Sequence, residues 1–171
     1  MVNRKNNQVC NIKDVRSGAT LISSLIAVSI ILIAIIGTSN FRYYSALDAR
    51  KANAQVEAAR IALLLSESWT GIQGDENYNP IIHLGNDLNI SKDEGPTKPD
   101  GYISLGNYKV ELNKSNDVNY QISYYVTMSW KDIQTGLRSL IVTVAWAQRD
   151  NGNNSFEGTD KTYTLTSYVM L

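Results

Sequence analysis

One segment near the start of the chain limits what the protein can be: residues 19–37 form a run of 19 residues without a charged side chain. At a rise of ~1.5 Å per residue, a helix of this length measures about 28 Å, close to the ~30 Å hydrocarbon thickness of a bilayer. Each hydroxyl in the run can bond a backbone carbonyl about one turn earlier, which makes it tolerable in lipid. The sequence therefore predicts a transmembrane helix whose hydroxyls belong to Thr20, Ser23, Ser24 and Ser29.

The charges balance over the whole chain but not along it. Residues 1–18 carry four basic side chains and one acidic one, a net charge of +3, whereas the remainder has 12 basic and 15 acidic side chains, a net of −3. An acidic body without a basic stripe argues against nucleic acid as a partner. The basic head is typical of a topogenic leader. The positive-inside rule weakly favours a cytoplasmic position for it, since Arg42, Arg50 and Lys51 lie on the other side of the apolar run.

Three fates fit a basic head followed by an apolar run. An ordinary signal peptide would be cut after the run, where residues 37–39 are small. A signal anchor would stay uncut. The third possibility is cleavage before the run, between Gly18 and Ala19. The physical properties of the sequence leave all three open.

Residues 16–22, Arg-Ser-Gly-Ala-Thr-Leu-Ile, resemble the class III signal of type IV prepilins, in which a short basic leader ends in glycine before a Thr/Ser-Leu-Ile/Leu stretch and an apolar run. The resemblance implies that a prepilin peptidase removes residues 1–18 at the cytoplasmic face, cutting after Gly18 and methylating the new N-terminus of Ala19. It also implies a single-pass inner-membrane protein with a cytoplasmic N-terminus, which later enters a periplasmic or extracellular fibre. The partners implied are other pilins or pseudopilins, the inner-membrane assembly platform and membrane lipid.

Two positions depart from the prepilin pattern. The first mature residue is usually Phe and is Ala19 here, and the fifth is usually Glu and is Ser23 here. In the family, that glutamate is thought to neutralise the terminal amine of a neighbouring subunit inside a dry bundle, where an unpaired ammonium is costly. Because a serine cannot supply the charge, Ser23 predicts a minor subunit rather than the bulk fibre protein.

The helical pattern continues beyond the apolar run. Residues 38–70 contain no proline and are rich in Ala, Leu, Glu and Arg, which are strong helix formers. Spacing near 3.6 residues predicts an amphipathic half of the helix, and Gly71 predicts its end. The predicted stripe on this half includes Leu47, Ala54, Val56 and Leu63.

The rest of the chain predicts an irregular connection followed by a sheet. Residues 71–100 are rich in turn-forming residues, with a short strand expected at Ile81–Leu84. Residues 101–171 alternate large apolar and polar side chains, which predicts four antiparallel strands, with Trp130 and Trp146 packed on the helix. The predicted fold class is α+β, which the resemblance narrows to a pilin fold. The four candidate strands are 102–112, 122–130, 140–146 and 161–170.

Catalytic and cofactor signals are sparse. His83 is the only histidine and Cys10 the only cysteine, and no phosphate-binding glycine loop follows a strand. We therefore expect that the protein is not an enzyme. The one cofactor for which the sequence offers a candidate site is calcium, because several oxygen donors lie around a glycine late in the chain. The same cluster is also ordinary turn chemistry. The candidate calcium ligands are Asp150, Asn151, Asn153, Glu157 and Asp160.

The function predicted from the sequence is that of a minor structural subunit of a type IV pilus or a type II secretion pseudopilus. Such a subunit is processed by a prepilin peptidase and polymerises through its N-terminal helix. The alternative is a signal-anchored or secreted β-rich binding module, similar to an adhesin, whose apolar segment serves only to direct the chain to the membrane.

Overall fold

The computed structural model describes residues 12–85, 88–112, 122–148 and 155–171, and it describes side chains from Thr20 onward. Two helices and five strands account for most of these residues, with a short 3₁₀ turn at Phe156–Gly158. The chain divides into two compact units, residues 1–48 and 49–171. The elements are α1 (Ile12–Gly71), α2 (Pro80–Leu84), β1 (Asn89–Lys92), β2 (Ile103–Glu111), β3 (Ser123–Gln134), β4 (Leu137–Trp146) and β5 (Lys161–Met170).

All five strands belong to one antiparallel sheet, and they lie in it in the order of the sequence. Helix α1 packs on this sheet through its C-terminal part, which confirms the predicted α+β class. The predicted number of strands was one too low, because β1 falls within residues 71–100, where an irregular connection was expected. This strand has only four residues and pairs with Tyr108–Glu111 of β2. Its sequence, Asn-Ile-Ser-Lys, carries little strand propensity, so the pairing with β2 stabilises it.

Helix α1 packs its small side chains against the sheet. Apart from the adjacent pair Ile61 and Ala62, its buried apolar residues follow one another at steps of three or four, so they occupy one face of the helix. The predicted stripe was only partly right, because Ala54 is buried while Val56 and Leu63 are 57% and 48% exposed. Alanines lie on the buried face because the sheet supplies large aromatic side chains, such as Tyr124, which fill the space that alanine leaves. The buried apolar residues of α1 are Ala54, Ala58, Ile61, Ala62, Leu65 and Trp69.

The two central strands provide the other half of this core. From Tyr124 to Trp130 on β3 and from Leu140 to Trp146 on β4, every second residue belongs to the same buried cluster as the helix, and the register places Met128 opposite Val142. Trp130 and Trp146 are both members of this cluster, which confirms the predicted packing of the two tryptophans. The alternation of apolar and polar residues therefore predicted correctly which side chains face the helix.

The opposite face of the sheet is also buried in its centre. The Thr127 hydroxyl, on this face of β3, donates to the backbone carbonyl of Pro96. Nearby, the Tyr102 and Ser139 hydroxyls lie 3.2 Å apart. A Cβ on Gly95 would lie 2.7 Å from the Thr127 hydroxyl oxygen, so only glycine fits there. Part of the connection predicted to be irregular is thus an ordered segment held against the outer face of the sheet.

Residues Ile81–Leu84 are helical, so the strand predicted there was wrong. The segment belongs to α2, whose first residue is Pro80. Proline suits the first turn of a helix because its φ is already helical and its missing N–H is not needed there. The Asn79 side chain caps the helix by accepting a hydrogen bond of 3.2 Å from the Ile81 amide. The Asn-Pro pair thus starts a helix before two β-branched residues that would otherwise favour a strand.

Helix α1 ends where predicted, at Gly71, but the left-handed residues that reverse the chain come later. Gln73 and Gly74 have φ of 58° and 66°. The Gly74 amide donates to the Trp69 carbonyl at 3.0 Å, which satisfies one of the last carbonyls of the helix. A Cβ on Gly74 would lie 2.8 Å from Val169 Cγ1, so glycine is needed here for its size as well as for its backbone conformation.

A buried arginine joins this turn to the sheet. The Arg138 side chain, on β4, is 6% exposed and donates to both carboxylate oxygens of Asp132, at 2.7 and 3.2 Å. It also donates to Glu76 at 2.8 Å and to the Gly74 carbonyl at 3.0 Å. Its guanidinium carbon lies 3.9 Å from the centroid of the Trp130 ring. One side chain therefore links the end of the helix to the β3–β4 hairpin.

Candidate functional site

In the N-terminal unit, the described residues from Ile12 onward are helical, and nearly all of their described side chains are exposed. Every side chain from residue 20 to residue 46 is exposed. At ~100° per residue, consecutive apolar positions surround the helix instead of forming one stripe. The segment therefore requires an apolar environment on all sides. Its large exposed side chains before residue 37 are Leu21, Ile22, Leu25, Ile26, Val28, Ile30, Ile31, Leu32, Ile33, Ile35 and Ile36.

The hydroxyls in this segment bond within the helix. Ser24 donates to the Leu21 carbonyl and Ser29 to the Leu25 carbonyl, both at 2.8 Å, as predicted. Thr38 donates to the Ala34 carbonyl at 2.9 Å. These three hydroxyls have their hydrogen-bond partner without water, which suits a helix surrounded by lipid or by other apolar helices.

The predicted processing site lies inside this helix. Gly18 and Ala19 belong to α1, which begins at Ile12, and their side chains are outside those described. Ser23 is exposed, one turn further along. Cleavage between Gly18 and Ala19 would therefore require the helix to open locally, since a peptidase acts on an extended backbone. The processing and methylation of these residues remain predictions.

Three aromatic side chains and an arginine, at positions 41–44, follow the apolar segment after three polar residues, and they were not among the sites predicted from the sequence. Phe41 is 74% exposed, and Tyr43 and Tyr44 are each 64% exposed. The two tyrosine rings meet edge to face, with centroids 5.7 Å apart. An open recess of ≈ 450 Å³ is lined by Thr38, Ser39, Phe41 and Arg42. The signal in the sequence was the order Phe-Arg-Tyr-Tyr, which begins after three polar residues that follow the apolar run.

Most of the candidate calcium site lies outside the described residues, because Asp150, Asn151 and Asn153 belong to the segment 149–154. The other two candidates, Glu157 and Asp160, are exposed. The Asp160 carboxylate accepts a hydrogen bond of 2.8 Å from the Gln148 amide, so it helps to close the connection between β4 and β5. Within the ranges that the structure describes, no three His, Cys, Asp or Glu side chains come close enough to hold a metal ion. Calcium binding stays a prediction.

His83 lies on α2, exposed to solvent. Its ring stacks on Tyr78 with centroids 5.1 Å apart, and Tyr78 stacks in turn on the buried Trp69 at 6.0 Å. The Tyr78 hydroxyl donates to Ser68 at 2.9 Å, and burial raises the pKa of this tyrosine. The histidine thus caps an aromatic stack beside the helix.

In the part of the chain that the structure describes, one helix is long and apolar enough to cross a bilayer, Thr20–Gly71, and none of its most apolar stretch is buried within the protein. A secretory signal sequence near the N-terminus would meet the same two criteria, so they leave open how the segment is processed. Comparison of the chain with protein-family models, with curated proteins and with solved structures gave no match.

Proposed function

We propose that the protein is a membrane-anchored assembly subunit, resembling a minor type IV pilin or a type II secretion pseudopilin. Its N-terminal helix would wait in the inner membrane and then join a bundle of similar helices. The observation that carries this proposal is the exposure of every described side chain from residue 20 to residue 46, in the same helix whose residues Ala54–Trp69 contribute to the core of an α+β domain. The helix has one part built for its own domain and one part built for an external apolar environment.

The energetics of the exposed part support assembly as well as anchoring. It carries eleven large apolar side chains, each about half exposed or more. Removing the rest of their surface from water is worth roughly 1–2 kcal/mol for each side chain, on the order of 10–20 kcal/mol in total. Lipid tails and neighbouring apolar helices satisfy this requirement equally well. Transfer of the helix from a bilayer into a bundle of similar helices therefore costs little hydrophobic free energy.

Ser23 supports a minor position within such an assembly. Cleavage after Gly18 would leave a new ammonium group on Ala19, one turn before Ser23. In a dry bundle this ammonium needs an anionic partner, which serine cannot provide. The subunit would therefore fit best where no charge compensation from Ser23 is required, such as the start of a fibre.

The direct test is the N-terminus of the membrane-derived protein, determined by N-terminal sequencing and intact mass with and without a co-expressed prepilin peptidase. The expected mature chain starts at Ala19 only when the peptidase is present, and Gly18→Leu should abolish processing. Gly37→Leu is the matched control, since a Cβ there has no neighbour within 4 Å and the residue lies far from the junction.

The other outcomes refute the proposal in different ways. An N-terminus at Asn40 would indicate an ordinary signal peptide and favour the secreted binding module. An uncut chain in the presence of active peptidase would indicate a signal anchor. For the minor position, Ser23→Glu should be incorporated along purified fibres at least as well as the parent protein. Parent protein abundant along the whole fibre would contradict that part of the proposal.

A further inference from the structure

The cluster that follows the apolar segment, Phe41, Arg42, Tyr43 and Tyr44, lies at a defined distance from the basic head. The charge-free run from residue 19 to residue 41 contains 23 residues. At a rise of ~1.5 Å per residue it spans about 34 Å, slightly more than the ~30 Å hydrocarbon core of a bilayer, as a moderately tilted helix requires. If the basic head lies at one membrane surface, the cluster falls at the opposite one.

The chemistry of the cluster fits that surface. Tyrosine combines an apolar ring with a polar hydroxyl, so it is enriched at the depth where hydrocarbon meets headgroups. The Tyr43 and Tyr44 rings lie on the outside of the helix, and Phe41 is even more exposed. Around an isolated helix these rings would each leave a large apolar area in water. A lipid interface accommodates the rings and the hydroxyls together.

Arg42 adds a feature specific for phosphate. Among the residues that the structure describes, no carboxylate forms an ion pair with it. Arg42 lines the open recess together with Thr38, Ser39 and Phe41. A guanidinium binds phosphate through two parallel N–H donors, and its positive charge complements the negative charge of a lipid headgroup. The recess beside Arg42 therefore suits a lipid phosphate at the same depth as the aromatic rings.

We infer that Phe41, Arg42, Tyr43 and Tyr44 form an interfacial anchor that fixes the depth of helix α1 in the bilayer, with Arg42 holding a lipid phosphate. The partner is the headgroup layer of a phospholipid membrane. This inference rests on the proposed membrane anchoring and adds to it a defined depth for helix α1 in the bilayer. The anchor would keep the residues before Phe41 in the hydrocarbon and hold the residues after Tyr44 outside it.

The test measures depth with two reporters in the full-length chain. Cys10, the only cysteine, is replaced by Ser, and a single new cysteine at Val28 or at Ser45 carries a nitrobenzoxadiazole fluorophore. The labelled chain is reconstituted into nanodiscs whose lipids are brominated at shallow or deep positions, and quenching reports the depth. We expect the Val28 label to be quenched most by deep bromines and the Ser45 label by shallow ones.

Two sets of variants separate the aromatic and cationic contributions, both read from the Ser45 label. Replacing Phe41, Tyr43 and Tyr44 together by Ser should shift its depth by at least ~3 Å, the rise of two helical residues. Tyr168→Ser is the control, because this tyrosine is 60% exposed but belongs to β5.

The cationic variants are read against lipid composition. In the parent chain, adding phosphatidylglycerol to phosphatidylcholine nanodiscs should narrow the depth distribution of the Ser45 label. Arg42→Gln should abolish this response, and Arg42→Lys should retain part of it, because lysine keeps the charge without the paired donors.

The outcomes distinguish the inference from the function on which it rests. If the Val28 label is not quenched by deep bromines, membrane anchoring itself fails. If that label is deep but the triple variant leaves the Ser45 profile unchanged, the interfacial anchor is refuted and the membrane span stands. If Arg42→Gln responds to phosphatidylglycerol as the parent does, the phosphate site is refuted.

Discussion

The substitution Arg138→Ala tests the reasoning about the fold at one side chain. Arg138 joins the turn after helix α1 to the β3–β4 hairpin by four hydrogen bonds, and its guanidinium stacks on the Trp130 ring. Its side chain is 6% exposed, whereas the carboxylates of Glu76 and Asp132 are 54% and 49% exposed. The arginine is therefore the buried member of the cluster, and its partners can return to water when it is removed.

The expected loss of stability follows from what remains after the substitution. The buried carbonyl of Gly74 loses its donor, which costs about 1–3 kcal/mol. The cation–π contact with Trp130, made in a desolvated position, is worth about 1–2 kcal/mol. The half-exposed carboxylates regain water and contribute little. We expect Arg138→Ala to lower the free energy of unfolding by about 3 kcal/mol, and Arg138→Lys by about half of that.

The assay is urea unfolding of the full-length chain in detergent, followed by the fluorescence of the three buried tryptophans. With a typical slope of about 2 kcal/mol per M urea, Arg138→Ala should lower the midpoint by about 1.5 M. Arg60→Ala is the control, because the Arg60 side chain is 68% exposed and lies 3.6 Å from Glu57; its effect should stay within about 0.5 kcal/mol. Equal midpoints for the two alanine variants would refute the energetic reasoning. The tryptophans are Trp69, Trp130 and Trp146.

Three further predictions concern the same domain. Burial raises the pKa of Tyr124 to about 12 from its ordinary 10.0, so the free energy of unfolding should hold up to pH 10 and fall as the pH rises towards 12. In a measurement of the free energy of unfolding against pH, Tyr124→Phe should reduce this fall, and an unchanged fall would contradict the prediction. The hydrogen bond from Arg138 lowers the pKa of Asp132 below 3.8, so the contribution of the ionised Asp132 to stability should be complete above pH 3.8 and disappear as the pH falls through the lowered pKa. When the free energy of unfolding is measured at decreasing pH, Asp132→Asn should lack this loss. Leu65 is fully buried and Leu64 is 44% exposed, so in urea unfolding Leu65→Ala should lower the free energy of unfolding by about 2–5 kcal/mol and Leu64→Ala by less than about 1 kcal/mol. Similar losses for the two variants would mean that the buried face of α1 is assigned wrongly.

Much of the fold was predictable because the long helix and the two central strands follow from patterns among neighbouring residues. The apolar run and the proline-free segment after it predicted one long helix, and Gly71 marked its end. The recurrence of large apolar residues at every second position in β3 and β4 predicted which side chains face the helix, including both tryptophans. Such patterns succeed when the neighbours of a residue in the sequence decide its environment.

The features that the sequence did not reveal depend on contacts between distant residues. β1 is stabilised by its pairing with β2, and its four residues have no strong propensity of their own. The exposed positions of Val56 and Leu63 follow from the way alanines fit the aromatic sheet, which helical periodicity alone does not encode. Two of the partners of Arg138, Glu76 and Gly74, lie 62 and 64 residues before it in the chain. Asn79 was a local signal that was missed, since an Asn-Pro pair that caps a helix would have predicted α2 instead of a strand at Ile81–Leu84.

The candidate site likewise has features that the sequence predicted and features that only the structure shows. The apolar segment and its hydroxyls were identified from composition, and the structure confirmed the hydrogen bonds of Ser24 and Ser29. The residues from Phe41 to Tyr44 were not predicted to form a site, because the sequence shows Arg42 only as one basic residue after the apolar run. The exposure of the neighbouring rings and the recess beside Arg42 became visible only with side chains in place.

The strand order of the sheet has a consequence for how the domain folds. Each strand from β2 onward pairs with the strand before it in the chain, so among the described strands β1 alone needs a partner that is synthesised later. Contacts between neighbouring segments close short loops and favour rapid folding. In the chain, helix α1 precedes β1, and each strand from β3 onward would find the edge of an already paired strand ready to receive it. The sheet can therefore grow in the direction of synthesis, one strand at a time.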